Sequence, residues 1–235
     1  MNYCEIKPCD IANGDGVRVS LFVSGCEKHC KGCFNPSTWD PCAGKLFDNE
    51  AYAQLCTYLK KPYIKGLTLL GGDPFYPGNR KSISDLLRKL REDIPEFCYG
   101  QKDVWMYTGY MYSELYEYDQ KEYRKFGYSI HNGPANAPIL PFIDVLVDGP
   151  FIEEQKDLSL KFRGSANQRI INVKKSLQEE KVILLEDFEN QIYKLKQPPT
   201  PTPWHGQEQR TNREAFLKRV HQDLENFTIN KGDRK

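Results

Sequence analysis

Three cysteines close together after an apolar segment constrain this chain more than any other feature. Cys26, Cys30 and Cys33 form a C-x3-C-x2-C array that directly follows the apolar residues 17–23. Three thiols at this spacing can bind one metal ion or one iron–sulfur cluster. They are one ligand short of the four that a closed structural zinc site or an ordinary cubane cluster takes. The array therefore favours a centre with an open coordination position, where a bound molecule can react.

The spacing of the array leaves other interpretations open. One is a zinc site whose fourth ligand is His29 or one of the distant cysteines Cys4, Cys9 and Cys42. These distant cysteines are also candidates for a second metal site. Disulfide bonding is disfavoured, because the polar sequence after Met1 gives no export signal and hence no oxidising compartment.

Composition limits the classes of partner that the chain can have. The 235 residues include 33 basic and 32 acidic side chains, which leaves a net charge of +1. We therefore expect no binding to nucleic acid or to an anionic membrane surface. No apolar run approaches the roughly 20 residues that span a bilayer. Together with the eight cysteines, this predicts a protein of the reducing cytoplasm.

Predicted strands and helices alternate along most of the chain. This alternation predicts an α/β fold with a parallel sheet and helices packed outside it. Residues 131–141 contain three prolines and are predicted to be a loop. Ser82 and Asp85 resemble a capping box at the start of the second helix. The predicted strands are residues 17–23, 66–70, 103–107, 142–147 and 169–173, and the predicted helices are residues 48–59, 82–91 and 112–126.

Candidate functional motifs follow four of these strands. The cysteine array follows the first, and the sequence Gly-Gly-Asp-Pro at 71–74 follows the second. Thr-Gly-Tyr at 108–110 and Asp-Gly-Pro at 148–150 follow the third and fourth. In parallel sheets, binding and catalytic groups gather at the carboxyl ends of the strands. We therefore expect these four motifs to meet at one edge of the sheet.

The C-terminal part of the chain differs in composition. Residues 197–203 (Q-P-P-T-P-T-P) predict a semi-rigid proline-rich linker. Beyond it, apolar residues recur on one face of a short helix, which must dock on its own domain or on a partner. We expect a domain at residues 1–190, a linker at 191–203 and a helical tail at 204–235. The apolar face comprises Leu217, Val220, Leu224 and Phe227.

Two motifs together resemble the radical S-adenosylmethionine enzymes. The first is the cysteine array followed by Phe34, and the second is the glycine-rich sequence at 71–74. Further stretches are similar to the activating proteins of the anaerobic, class III ribonucleoside-triphosphate reductases. Asp15 departs from the proline usual in that family, and the tail has no counterpart there. The similar stretches are residues 10–26, 33–40, 107–110, 144–149 and 162–171.

The resemblance implies a fold and a set of site residues. The fold would be a partial, open parallel β/α barrel of the radical S-adenosylmethionine type, with the short C-terminal helical extension. Cys26, Cys30 and Cys33 would each ligate one iron of a [4Fe-4S] cluster, and the fourth iron would bind S-adenosylmethionine. Asp148 and Arg163 are interpreted either as cofactor contacts or as a turn residue and a salt-bridge partner. The residues implied to contact S-adenosylmethionine are Gly32, Cys33, Phe34, Gly71, Gly72 and Asp73.

The resemblance also implies a reaction and its partners. One electron from a flavodoxin or ferredoxin would cleave S-adenosylmethionine, and the resulting 5′-deoxyadenosyl radical would take a hydrogen atom from a glycine of the anaerobic reductase. Two rival functions belong to the same superfamily: activation of another glycyl-radical enzyme, and catalysis on a small molecule. A third, from another class, is a zinc-bound interaction module.

Overall fold

A seven-stranded mixed sheet is the framework of the protein, whose computed structural model describes residues 1–126 and 138–185. The predicted linker and tail lie outside the described residues, as does most of the predicted loop at 131–141. The strands are β1 (Asn2–Asp10), β2 (Arg18–Val23), β3 (Lys45–Leu46), β4 (Gly66–Gly71), β5 (Asp103–Tyr107), β6 (Val145–Asp148) and β7 (Arg169–Asn172). The helices are α1 (Asn49–Leu59), α2 (Arg80–Asp93), α3 (Tyr112–Phe126) and α4 (Val173–Glu179).

The centre of the sheet is parallel, as the sequence predicts, but its edges are not. The strand order is β3-β1-β2-β4-β5-β6-β7. Strands β2, β4, β5 and β6 run parallel to one another. Strand β1 is antiparallel to β2 and β3, and β7 is antiparallel to β6. The sheet is therefore mixed: its centre agrees with the predicted parallel sheet, and its two edges differ from it.

Neither connection at the antiparallel edges contains a crossover helix. A parallel neighbour requires a crossover of a dozen or more residues, usually a helix. Residues 11–17 between β1 and β2 are too few for such a crossover. Between β6 and β7, the only helical residues are the single 3-10 turn Glu153–Gln155. Both connections therefore return the chain beside the strand it has just left.

The helices confirm most of the sequence prediction. Asp48 caps α1 by accepting hydrogen bonds from the backbone N–H groups of Glu50 and Ala51. The predicted capping box at Ser82 is wrong, because α2 begins earlier and its N-cap is Asn79. Leu140–Phe142 forms one 3-10 turn at the end of the segment predicted as a loop. In the described ranges, no helix has the length and apolarity needed to cross a membrane.

The two faces of the sheet differ in character. One face joins the helices in the main apolar core, with Leu21, Leu69 and Met106 fully buried. Alternate strand residues point to the opposite face, where Trp105 centres a smaller cluster. Buried polar side chains also occupy this second face, including Arg18, which donates to Thr68 at 2.7 Å and forms an ion pair with Asp103 at 2.5 Å.

Asp148 fixes the last strand and a helix to the end of β6. Its side chain is fully buried. Oδ1 accepts a hydrogen bond from Nε of Arg169 at 2.9 Å, and Oδ2 accepts one from Nη2 at 2.5 Å. Oδ2 also accepts the N–H of Tyr112, the first residue of α3, at 2.8 Å. Both carboxylate oxygens of Asp148 are thus engaged in holding the fold.

Replacing Asp148 with alanine should destabilise the protein by about 3 kcal/mol, because it leaves the mostly buried Arg169 without its counter-charge. Urea denaturation followed by circular dichroism measures the loss. The matched control is Asp85→Ala, which removes two partly exposed ion pairs on α2, to Lys81 and to Arg88, and should cost less than about 1 kcal/mol. Equal losses in the two variants would contradict the structural role assigned to Asp148.

Candidate metal centre

The cysteine loop leaves the sheet directly after β2. Cys26, Cys30 and Cys33 are each partly buried, and the N–H of Cys33 donates to the carbonyl of Cys30 at 3.1 Å, which turns the loop back on itself. His29 has a positive φ of 43°. Gly32 has a φ of 70°, and a Cβ at this position would lie 2.7 Å from the carboxylate of Glu153. The turn at Gly32 therefore favours glycine on conformational grounds, since the flexible Glu153 side chain can move away from an added Cβ.

Two of the three thiols have raised pKa values. Burial raises the pKa values of Cys26 and Cys30, and the nearby Asp73 carboxylate raises them further. The negative charge of Cys30 also raises the pKa of Cys26, and that of Cys33 raises the pKa of Cys30. Metal binding requires thiolates, so a positively charged metal centre would replace protons at this loop.

Among the described side chains, no three His, Cys, Asp or Glu residues are grouped closely enough to hold a single metal ion. His29 is exposed, and its ring lies 4.8 Å from that of Trp39. The three thiols lie in one loop without surrounding a common point. A cubane cluster takes each thiolate on a different iron atom, so its ligands stand further apart than those of one zinc ion.

The glycine motif after β4 lies against the cysteine loop. The N–H of Gly72 donates to the carbonyl of Val23, and the N–H of Asp73 donates to that of Gly25, both at 2.8 Å. Gly25 in turn donates its N–H to the carbonyl of Thr38 at 2.8 Å. A Cβ at position 72 would lie 2.6 Å from the oxygen of Gly25 and 2.7 Å from that of Thr38. Only glycine permits this approach of three backbone segments.

Asp73 joins the glycine motif to the end of β5. Its side chain is 1% exposed. Oδ1 accepts hydrogen bonds from the hydroxyl of Thr108 at 2.8 Å and the N–H of Phe75 at 2.9 Å. Oδ2 accepts one from the N–H of Gly109 at 2.9 Å. Burial raises the pKa of Asp73 to about 6, although these hydrogen bonds oppose the shift. Its role as a cofactor contact stays a prediction.

The end of β5 also contacts the cysteine loop directly. The hydroxyl of Tyr110 donates to the carboxylate of Glu27. The ammonium group of Lys28 lies 3.6 Å from the centre of the Tyr110 ring, a distance typical of a cation–π contact. Two residues between Cys26 and Cys30 are thereby fixed to the motif at 108–110.

The segment after β6 covers the other side of the loop. The rings of Phe34 and Phe151 meet edge to face at 5.1 Å. A Cβ on Gly164 would lie 2.7 Å from Phe34 and 3.0 Å from Phe151. The exposed Lys31 forms an ion pair with Glu153 at 2.9 Å. All four motifs that the sequence placed at strand ends therefore meet at one edge of the sheet.

Asn79 is a site residue that the sequence analysis missed. It is 3% exposed. Its side-chain amide donates to the carbonyl of Ser24 at 2.8 Å and to that of Asp73 at 3.0 Å. It thus joins the end of β2 to the glycine motif. Asparagine just before an apolar helical stripe is an N-cap signal, but the signal was assigned to Ser82 instead.

Comparison with known proteins agrees with this geometry. The sequence model of the family described as "4Fe-4S single cluster domain" matches residues 12–171. A relative from Haemophilus influenzae, named an anaerobic ribonucleoside-triphosphate reductase-activating protein, is 43% identical over 172 residues, which are 72% of this chain and 97% of the relative. The chain belongs to this activating-protein family.

Other members of the activating-protein family are similar to the same extent. The protein of this name from enterobacteria phage T4 is 40% identical over 172 residues, which cover 72% of this chain and 93% of the relative. The Escherichia coli K12 protein is 39% identical over 170 residues, covering 72% of this chain and 96% of the relative.

The residues at the sheet edge fit the cluster that the family model names. Three thiols in one loop supply ligands for three irons. Gly32 and Gly72 keep the backbone around them free of side chains. The family assignment supports a [4Fe-4S] cluster with S-adenosylmethionine as its cofactor and gives no support to a zinc-bound interaction module.

Replacing Gly72 with alanine should prevent cluster assembly, because the new methyl group pushes the glycine motif away from the carbonyls of Gly25 and Thr38. Iron bound per chain after anaerobic reconstitution should fall to less than about half of the wild-type value, since the overlap involves backbone that cannot rotate away. The control is Gly78→Ala, whose methyl group meets only the ring of Tyr76. Full iron loading of the Gly72 variant would refute this constraint.

Proposed function

We propose that the protein activates an anaerobic ribonucleoside-triphosphate reductase by generating a glycyl radical on it, through reductive cleavage of S-adenosylmethionine at a [4Fe-4S] cluster. The observation that carries this proposal is the contact between the cysteine loop and the glycine motif at residues 71–74. Relatives that carry the activating-protein name, at 39–43% identity over most of their length, support the same reaction.

We propose further that the sheet forms the wall of a partial, open β/α barrel of the radical S-adenosylmethionine type. Four parallel strands with helices against one face support this arrangement. The opposite face bears buried polar groups, among them Arg18, Ser20 and Thr68. In a barrel this face lines the interior, at whose carboxyl end the cofactor would lie.

Within this proposal, Cys26, Cys30 and Cys33 ligate three irons, and no protein side chain occupies the fourth. The cluster and S-adenosylmethionine, when bound, supply the electron transfer and the radical that abstracts hydrogen. Gly71 has a φ of 107°, and with Gly72 it offers bare backbone to the amino group of the cofactor.

The neighbouring residues hold this arrangement. The peptide groups of Gly32, Cys33 and Phe34 are proposed to contact the cofactor from the side of the cysteine loop. Phe34 packs on Phe151 there, although it is itself 55% exposed. Asp73 acts mainly through the hydrogen bonds that fix the ends of β4 and β5. The scheme requires no general acid or base.

The electron donor is proposed to be a flavodoxin or ferredoxin. Iron–sulfur clusters span a wide range of potentials, and cleavage of a sulfonium bond requires the reducing end of this range. A reducing cytoplasm suits such a donor. All eight cysteines of the chain lie in its described part, and none forms a disulfide.

Reconstituted protein mixed anaerobically with S-adenosylmethionine, a low-potential reductant and the anaerobic reductase should give the doublet electron paramagnetic resonance signal of a glycyl radical. Cys30→Ala should abolish both this signal and the brown colour of the cluster, because it removes one iron ligand. Cys42→Ala, which removes an exposed thiol, should leave both unchanged.

Two outcomes of this experiment would redirect the assignment. A cluster that cleaves S-adenosylmethionine without giving the doublet on the reductase would favour another glycyl-radical enzyme or a small-molecule substrate. A colourless protein that retains zinc after anaerobic purification would overturn the cluster itself.

The division of the chain into residues 1–190, 191–203 and 204–235 is also a proposal, with the tail tethering the reductase. Deleting residues 204–235 should weaken the complex about tenfold or more, because a tether raises the effective concentration of its partner. Iron content should stay at the wild-type level. Surface plasmon resonance with immobilised reductase measures the affinity, and an unchanged dissociation constant would exclude the tether.

A further inference from the structure

The guanidinium group of Arg163 is buried without a counter-charge. The residue is 7% exposed, and Nη1 donates to the backbone carbonyl of Gln168 at 3.1 Å. Its Nε and Nη2 atoms are shielded from solvent and have no hydrogen-bond partner in the described part of the chain. Burial lowers the pKa of Arg163, and Asp157 opposes this shift from a distance. The salt bridge that the sequence offered as an alternative role is not found among the described residues.

Buried charged donors without partners are costly. The other polar groups of this loop are largely satisfied. Oε1 of Gln168 accepts the N–H groups of Gly164 and Ser165, and its amide donates to the carbonyl of Gly149. Asn167 donates to the carbonyl of Pro150 at 2.7 Å. The loop is therefore fixed to the end of β6. Loose packing of the loop does not account for the unpaired atoms of Arg163.

The neighbours of Arg163 in sequence place it beside the proposed site. The ring of Phe162 packs edge to face on Trp105, 5.5 Å away on the second face of the sheet. Gly164 lies against Phe34, which follows the last cysteine of the array. Arg163 thus stands between the face that would line the barrel and the loop that would hold the cluster.

The two unpaired atoms form one edge of the guanidinium plane. The N–H bonds of Nε and Nη2 point in parallel, and this pair matches the two oxygens of a carboxylate. S-adenosylmethionine carries one carboxylate and no phosphate. We propose that Arg163 binds the methionyl carboxylate of S-adenosylmethionine through its Nε and Nη2 atoms. This inference rests on the function proposed above.

A second group in the same loop complements this arrangement. Oδ1 of Asn167 is buried and has no hydrogen-bond partner among the described residues. Its acceptor character follows from the bond that its own amide nitrogen gives to Pro150. The loop therefore leaves both donors and an acceptor unpaired, as expected where a polar ligand binds.

The test compares S-adenosylmethionine with its decarboxylated analogue on anaerobically reconstituted protein, by equilibrium dialysis. Arg163→Gln should weaken binding of S-adenosylmethionine about tenfold to hundredfold, the range of a charge-assisted hydrogen-bond pair. It should change binding of the analogue by less than about twofold. Arg163→Lys should restore part of the affinity, because a point charge replaces the fork. Arg88→Gln, on the outer side of α2, is the control and should bind both ligands as wild type does.

Equal loss of affinity for both ligands, or no loss for either, would overturn the proposal. The proposal would also be overturned if Arg163→Gln bound S-adenosylmethionine as wild type does but bound the reductase more weakly. The carboxylate that pairs with Arg163 would then belong to the reductase. Wild-type protein that binds no S-adenosylmethionine would instead refute the proposed function.

Hydrogen–deuterium exchange on the wild-type protein keeps the inference testable if the Arg163 variants do not fold. Residues 162–168 should gain protection on addition of S-adenosylmethionine and should not gain it with the decarboxylated analogue. Equal protection by both ligands would exclude a carboxylate contact in this loop.

Discussion

The buried carboxylate of Asp73 accepts three hydrogen bonds, two of which join the ends of neighbouring strands, and the rest of the site depends on this junction. Its oxygens hold Thr108 and Gly109 after β5, while its own N–H donates to Gly25 at the start of the cysteine loop. Burial opposes ionisation of Asp73, so the charged form relies on these donors. The cysteine loop has no helix or strand of its own. Its position therefore depends on contacts such as the one between Asp73 and Gly25.

Much of the centre of the fold could be predicted from local sequence. Strands that are mostly apolar indicate burial on both faces and hence parallel pairing, and β2, β4 and β5 have this character apart from polar residues such as Arg18 and Ser20. The glycine motif and the cysteine array were identified because their residue types have few other roles at those spacings. Their meeting at one edge follows from the direction of the strands alone, which is why four motifs far apart in sequence could be placed together.

Three features could not be predicted from the sequence, because each depends on tertiary contacts. The pairing of β7 with β6 rests on a long connection without a crossover helix, and nothing in its composition sets the direction of return. The early start of α2 is fixed by Asn79, whose amide binds loop carbonyls in place of its own helix. For Arg163, an arginine in a polar segment predicts an exposed side chain, and its burial arises only when Phe162 and Gly164 pack on either side.

The amide of Asn79 leaves this position little freedom to vary. Its amide binds the carbonyls of Ser24 and Asp73, which belong to loops of the site. The residue itself is the N-cap of α2, which packs in the main apolar core. A carboxylate of the same length has no proton to give, and a hydroxyl has only one. A helix start that would ordinarily accept several polar residues is thus restricted to one, and Asn79 links the start of α2 directly to two loops of the site.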